Sequence, residues 1–394
     1  MFSRNPPPRR RAPHRHASAR KPLAGLALVV LLFATGCAAP PPIPARGALA
    51  GEPVNTTVDS PAAACLLGAK ADANSPRAAR QCGLDATFAR HDGLPLTRAT
   101  LAALAEETSV DVAAIYFTRR MLADPRNARW QRALGREVGA IRRSGAFRAP
   151  AGAGGYLIVL VPGWLYRFQP GSGAGLVREL ELFTRFGLRA LRLDVDQNGT
   201  IESNARYIAG RIRLLSRSES KLILVSTSKA GAEVVTALGE ILSAGETRAV
   251  KAWLSIGGLL GGTMIADDAQ SWPRSWLAAV YFWWHGMATD SIASMTTARS
   301  RARLERVRFP PHILVLHYVA VPLSGQVSGA SMDRYLRLRS QGPNDGLTLL
   351  SDELLPGGIV IVEPGEDHFY QDPLRDHKTL AFARLIIEAL EARQ

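Results

Sequence analysis

The sequence predicts an α/β protein built on a mainly parallel sheet flanked by helices. From residue 156 onward, short apolar runs alternate with longer segments whose apolar residues recur at helical spacing. The runs at 156–161, 188–193, 221–225, 250–255, 313–320 and 358–362 are apolar almost throughout, as strands covered on both faces are. Helices are expected at 173–186, 203–216, 230–243 and 374–392. The run from Lys221 to Val225 also passes through the small residues of Ser226-Thr-Ser-Lys-Ala230 straight into a helix. Alternation of this kind places a helix on each face of a parallel sheet.

The chain has 394 residues, 47% of them hydrophobic, enough for a full catalytic domain and a smaller one. Its net charge of +14 is unevenly placed. Half of it comes from Arg4, Arg9, Arg10, Arg11, Arg15, Arg20 and Lys21, which precede the apolar run Leu23–Phe33 with no acid among them. The remaining arginines are scattered among acids, as on solvated faces, which argues against nucleic acid as a partner. A basic region followed by an apolar core shorter than the roughly 20 residues of a spanning helix reads as a targeting segment over 1–36.

That segment ends in Ala34-Thr-Gly-Cys37. It resembles a bacterial lipobox, whose cysteine is acylated and becomes the mature N-terminus; Ala34 departs from the usual Leu. An ordinary secretory signal cleaved nearby is the alternative. Ala38 after the cysteine implies, by the same resemblance, an outer-membrane lipoprotein facing the periplasm. Three cysteines are present, and with Cys37 lipidated an even pair is left. In an exported chain that pair invites a Cys65–Cys82 disulfide; two free thiols are the alternative. There is no C-x-x-C and no H-E-x-x-H, so no metal is expected.

Residues 37–55 are rich in Pro, Ala and Gly and read as a flexible tether. Residues 56–150 carry Ala and Leu at helical spacing and predict a small α-helical region, in which His91 reads as a loop residue. The Gly/Ala stretch 149–155 is the candidate boundary to a domain spanning 151–394.

Within that domain, the strand 221–225, the small-residue turn around Ser228 and the helix after it form the context of a nucleophile elbow. The residues two before and two after Ser228 are Ser226 and Ala230, small but not glycine, with Gly231 just beyond. Downstream lie Pro343-Asn-Asp-Gly346 and Pro364-Gly-Glu-Asp-His-Phe-Tyr370; upstream, the strand 156–161 ends in Pro162-Gly-Trp164. From about Tyr156 onward the sequence resembles the α/β-hydrolase superfamily, in its serine esterase and lipase branch, where the triad follows the chain order Ser, Asp, His. The resemblance implies Ser228 as nucleophile, His368 as base and Asp345 as orienting acid. It also implies an oxyanion hole from the backbone N–H of Lys229 and that of Trp164 or Leu165.

The chemistry needs this set. A serine hydroxyl is a poor nucleophile until a base lies within hydrogen-bond reach and a carboxylate orients that base. His368 alone lies in a loop after the last strand. His14 and His16 fall in the signal, His285 in an insertion, His312 at a strand start, His317 inside a strand and His377 in the last helix. Asp352 is the nearest rival to Asp345, with Asp194 further away. Asp194-Val-Asp-Gln-Asn-Gly199 imitates half of a calcium loop, but Ala205 stands where the bidentate Glu is needed, so a turn before a helix is the expected reading.

An insertion at about 261–311 holds Trp272, Trp276, Trp283 and Trp284 with Tyr281 and Phe282. In the family such a segment is commonly a cap, which here implies an aromatic roof for an acyl chain or a lipid surface; an ordinary buried helix pair is the alternative. The leading expectation is therefore an exported, lipid-anchored serine hydrolase of lipophilic carboxylic esters, which requires no cofactor. An acyltransferase with the same triad and a non-catalytic envelope protein that kept the fold for binding are the alternatives.

Overall fold

The computed structural model describes residues 42–168, 172–271, 276 and 288–393. The expected signal segment, Cys37, His285 and the cap aromatics Trp272, Tyr281, Phe282, Trp283 and Trp284 lie outside these residues. Trp276 is described and is 66% exposed. Among the described residues no helix is long and apolar enough to cross a membrane.

A hairpin replaces most of the expected tether. β1 (Ile43–Leu49) and β2 (Glu52–Val58) pair antiparallel. Between them Ala50 and Gly51 both take positive φ, +54° and +84°, as a two-residue hairpin turn requires. Ala45, Leu49, Val54 and Val58 are buried. The stretch imitates a linker because its few apolar residues are spaced for one covered face among Pro, Ala and Gly. Gly47 allows close approach: a Cβ there would overlap the Leu67 carbonyl.

Six helices follow: α1 (Pro61–Gly68), α2 (Pro76–Gln81), α3 (Asp85–Asp92), α4 (Arg98–Glu107), α5 (Val110–Ala123) and α6 (Pro125–Ser144). Their starts are written locally. Ser60, Ser75, Thr97, Ser109 and Asp124 each accept a backbone N–H from the first turn, and α1, α2 and α6 begin with Pro. Cys65 and Cys82 are disulfide-bonded, with Cα atoms 5.9 Å apart, and tie α1 to the end of α2. His91 lies in α3 rather than a loop; it is buried, 3.2 Å from Glu107 of α4.

The remaining elements are β3 (Leu157–Val161), α7 (Val177–Arg185), β4 (Ala190–Arg192), α8 (Ile201–Leu215), β5 (Leu222–Thr227), α9 (Lys229–Thr236), β6 (Val250–Ile256), α10 (Met264–Gln270), α11 (Thr289–Ala293), α12 (Thr297–Arg306), β7 (Leu314–Val321), α13 (Gly329–Leu338), β8 (Ile359–Pro364) and α14 (Arg375–Glu391). The six strands form one sheet in the order β4-β3-β5-β6-β7-β8, every neighbouring pair parallel. All six expected strands are present.

Side chains alternate between the sheet faces. Ile158, Leu160, Ile223, Val225 and Leu254 pack with α6, α7 and α14. Leu157, Val159, Leu222, Leu224 and Trp253 pack with α8 and α9. On that second face, Val319, Val321, Val360 and Val362 of β7 and β8 pack with the hairpin and α1, α4 and α5. The N-terminal helices therefore complete a layer of the sheet instead of forming a separate region, and Pro40–Gln394 is one compact unit with no boundary at 149–155.

The edge strand β8 is covered in an uncommon way. Gln131 of α6 donates from Nε2 to the Val362 carbonyl at 2.9 Å and accepts the Val362 N–H at 3.0 Å. Asn127, one turn earlier, accepts the Val360 N–H at 2.9 Å. Two side chains at i and i+4 thus stand in for a missing neighbouring strand.

Candidate active site

Ser228 is the hinge between β5 and α9. Its φ of +54° and ψ of −126° are strained for a residue with a Cβ. The strain is held from both sides. Its N–H donates to the Ile256 carbonyl at 2.9 Å, and its carbonyl accepts from Gly231 at 2.9 Å and Leu259 at 3.1 Å. The small neighbours have distinct jobs. Ser226 is fully buried and accepts the Trp253 indole N–H at 2.8 Å. Gly231 abuts Gly258, whose Cα would lie 2.8 Å from an added Cβ. The tightest steric demand therefore falls on Gly231 rather than Ala230.

The loops after β7 and β8 bring the other two groups to this hinge. His368 Nε2 lies 2.9 Å from Ser228 Oγ, and His368 Nδ1 lies 2.5 Å from Asp345 Oδ2. Asp345 is fully buried, and its other oxygen accepts the N–H groups of Leu347 and Thr348, each at 2.8 Å. This Asx turn fixes the carboxylate before the histidine reaches it. Gly346 takes φ +89°, and a Cβ there would meet the Ser331 Cβ at 2.7 Å, so the Asn-Asp-Gly turn needs its glycine.

The strand order, the strained strand-to-helix turn and the positions of these loops are those of one architecture. The fold is that of the α/β-hydrolases. No protein-family model and no curated protein sequence matches the chain. Among solved structures it is similar to a metagenomic carboxyl esterase, at 21% identity over 62% of this chain and 78% of the other, with a TM-score of 0.48. It is also similar to a mature Bacillus licheniformis lipase, at 21% identity over 57% and 89% of the two chains and a TM-score of 0.45. A third is lipase 1 from Pelosinus fermentans, at 14% identity over 58% and 98% and a TM-score of 0.43.

The α/β-hydrolase elbow is closed on its other side by the loop after β3. At Gly163 an added Cβ would lie 3.0 Å from Thr227 Oγ1 and 3.3 Å from Ser228 Cβ, so the loop rests on the elbow. Trp164 and Leu165 follow at once and line the same cavity as Ser228 and His368. Leu165 is itself at φ +56°. Lys229 opens α9, where a first-turn N–H has no intrahelical partner.

The Lys229 side chain is no surface charge. It is buried, donates to the Gly199 carbonyl and to Ser291 Oγ, and lies 3.3 Å from Glu233 Oε1. Burial pushes the Glu233 carboxyl above its ordinary range, with the Lys229 charge opposing. Through Ser291 the pair fastens α9 to α11 of the insertion. The i, i+4 spacing of Lys229 and Glu233 was visible; their burial was not.

Asp352, Asp194, His317 and His312 lie elsewhere with partners of their own. Asp352 pairs with Arg98 of α4, whose Nε donates to it at 2.6 Å. Asp194 is exposed, 3.3 Å from Arg192. His317 is buried, accepts the Leu355 N–H at 3.1 Å, and is pushed down to about 4 by burial. His312 meets the Thr247 carbonyl at 3.1 Å. The imitation calcium loop folds as a turn in which Asp196 accepts the Asn198 N–H at 2.9 Å, followed by Thr200 capping α8.

One neighbour gave no sequence signal. Glu353, in the short turn before β8, is buried with neither carboxylate oxygen hydrogen-bonded. Burial pushes it well above the ordinary carboxylate range, and the nearby charge of Asp345 adds to the effect.

Proposed function

We propose that this protein is a serine hydrolase of carboxylic esters with lipophilic acyl groups, working through an acyl-enzyme on Ser228. The supporting observation is the unbroken hydrogen-bond path from Ser228 Oγ through His368 to the buried Asp345, with the serine on a strained elbow at the mouth of an apolar cavity. Ser228 Oγ attacks the ester carbonyl carbon while His368 Nε2 takes its proton. The backbone N–H groups of Lys229 and of Trp164 or Leu165 stabilise the oxyanion, each donor contributing about 100- to 1000-fold. Collapse expels the alcohol, which receives the proton from His368. Water then attacks the acyl-enzyme by the same route and releases the acid. Asp345 holds the imidazole in the tautomer that leaves Nε2 free to accept.

We also propose export, with Cys37 as a lipid anchor in the bacterial envelope. The basic start, the short apolar core and the cysteine after Ala34-Thr-Gly support this, and the Cys65–Cys82 disulfide fits an oxidising compartment.

The test is fluorophosphonate labelling of the protein beside hydrolysis of short and long p-nitrophenyl esters, with Ser228→Ala in parallel. Labelling and turnover that vanish together in the variant support the reading. Labelling that survives the substitution assigns the nucleophile elsewhere.

A further inference from the structure

The cavity at Ser228 does not stop at the sheet's upper edge. It has a volume of about 260 Å³ and continues down the face of the sheet that carries α7 and α14. Its floor is three rows of side chains set by strand register. Thr227, Ile256 and Tyr318 form the upper row; Leu160, Val225 and Leu254 form the middle one. Ile158 and Ile223 form the lowest. Ile223 is five residues before Ser228 on the same strand, which puts the lowest row about 16 Å beneath the nucleophile.

The roof is Phe183 of α7 with Thr379, Phe382, Ala383 and Ile386 of α14. The α14 positions share one face at i, i+3, i+4 and i+7. Polar groups gather near the mouth. There Arg375 donates to Glu179 at 2.6 Å and reaches the Gly173 carbonyl at 3.2 Å, bracing α14 against α7. The lining also includes the Asp372–Lys378 ion pair and the Thr379 hydroxyl, while the middle and lowest rows of the floor are apolar. Protein interiors are packed to crystal-like density, and an unfilled apolar void costs stability in proportion to its volume. A void of this size that opens beside a nucleophile suits a ligand of matching chemistry.

Resting on the esterase reading above, we propose that the acyl chain of the substrate lies in this channel. It enters between Ser228 and Tyr318 and runs down between the sheet and α14, inside the body of the fold. A carbonyl held at Ser228 directs its alkyl tail along β5, past Thr227 and onto the apolar middle and lowest rows. The preferred substrates are then esters of unbranched long-chain acids, and α14 sets the length limit through Ala383 and Ile386.

Two full-length variants and two readouts test this. Ala383→Phe plugs the channel at mid-depth; Phe382→Ala widens it. The first readout is the ratio of kcat/KM for p-nitrophenyl palmitate to that for the butyrate. It should fall at least tenfold in Ala383→Phe, and should move towards longer and bulkier acyl groups in Phe382→Ala. The second is binding of a dansyl-labelled fatty acid to Ser228→Ala protein, which needs no catalysis; adding Ala383→Phe should weaken it at least tenfold. An unchanged ratio in either variant, with the fold intact by circular dichroism, overturns the channel. If no ester is turned over by the parent protein yet the fatty acid still binds and Ala383→Phe abolishes it, the hydrolase reading fails and the channel stands. If the fatty acid binds equally with Ala383→Phe present, the channel fails whatever the catalysis.

Discussion

Asp345 holds His368 at two points. The His368 backbone N–H donates to the Asp345 carbonyl at 2.9 Å, and the imidazole Nδ1 lies 2.5 Å from the Asp345 carboxylate. Ring and main chain are thereby fixed by one residue 23 positions earlier. Asp345→Asn keeps the backbone bond and the Asx turn but offers an N–H where the ring needs an acceptor. The imidazole must then carry its proton on Nε2, facing Ser228. Turnover of a p-nitrophenyl ester should drop about 10⁴-fold, the size such a tautomer error has in serine proteases. The melting temperature should stay near the parent's. A loss below tenfold would mean that another group orients His368.

The buried pair behind Ser228 has a different signature. Lys229→Met removes the cation beside Glu233 and leaves the buried carboxylate with only the Asn204 amide, which donates to it at 2.8 Å, so unfolding in urea should show a loss of about 3–5 kcal/mol. Replacing both, with Lys229→Met and Glu233→Leu, should recover most of that loss, because no orphaned charge remains. If the double variant is no more stable than the single one, the pair is not coupled as its 3.3 Å separation implies.

Gln131 offers a test of edge protection. Its amide serves both the N–H and the carbonyl of Val362. Gln131→Leu keeps the size but leaves two backbone groups unsatisfied, each costing about 1–3 kcal/mol when buried. The variant should be destabilised on that scale and should self-associate more readily, as seen by light scattering, because a strand edge is uncovered. Unaltered stability would mean that water replaces the side chain without loss.

These contrasts show where the sequence could be read. The six strands were legible because a strand covered on both faces must be apolar along its length, and Leu157–Val161 and Leu222–Val225 are. Ser228, Asp345 and His368 were legible because each lies in a local turn pattern and their chain order matches that of the family the sequence resembles. The hairpin at 43–58 was not: a strand pair with one buried face and a Gly-47 contact carries too few apolar residues to stand out from a linker. Nor was the union of the N-terminal helices with the sheet. Gln131 meets Val362 and Arg98 meets Asp352 across more than 200 positions, and no local pattern announces such a pairing. Glu353 was invisible for the same reason, since its environment is built from distant segments.

Glu353 gives the protein a pH dependence whose sign follows from its burial. In the unfolded chain the carboxyl ionises near its ordinary value of 4.5; in the fold, burial and the Asp345 charge raise it well above that. Between the two values the unfolded chain is the more ionised. Stability from this group is therefore complete at acidic pH and is lost as pH rises, by at most about 1.4 kcal/mol for each pH unit. Glu353→Gln keeps the shape and removes the titration. The melting temperature of the parent should fall relative to the variant's from about pH 5 to pH 8, and the two curves should converge below about pH 4.5. Glu353→Leu, which also removes two unsatisfied polar atoms, should exceed the parent at every pH in that range. A constant gap between the parent and Glu353→Gln curves across the range would show that the carboxyl is already ionised in the fold. A charged Glu353 would then sit beside the charge of Asp345 and require a compensating cation.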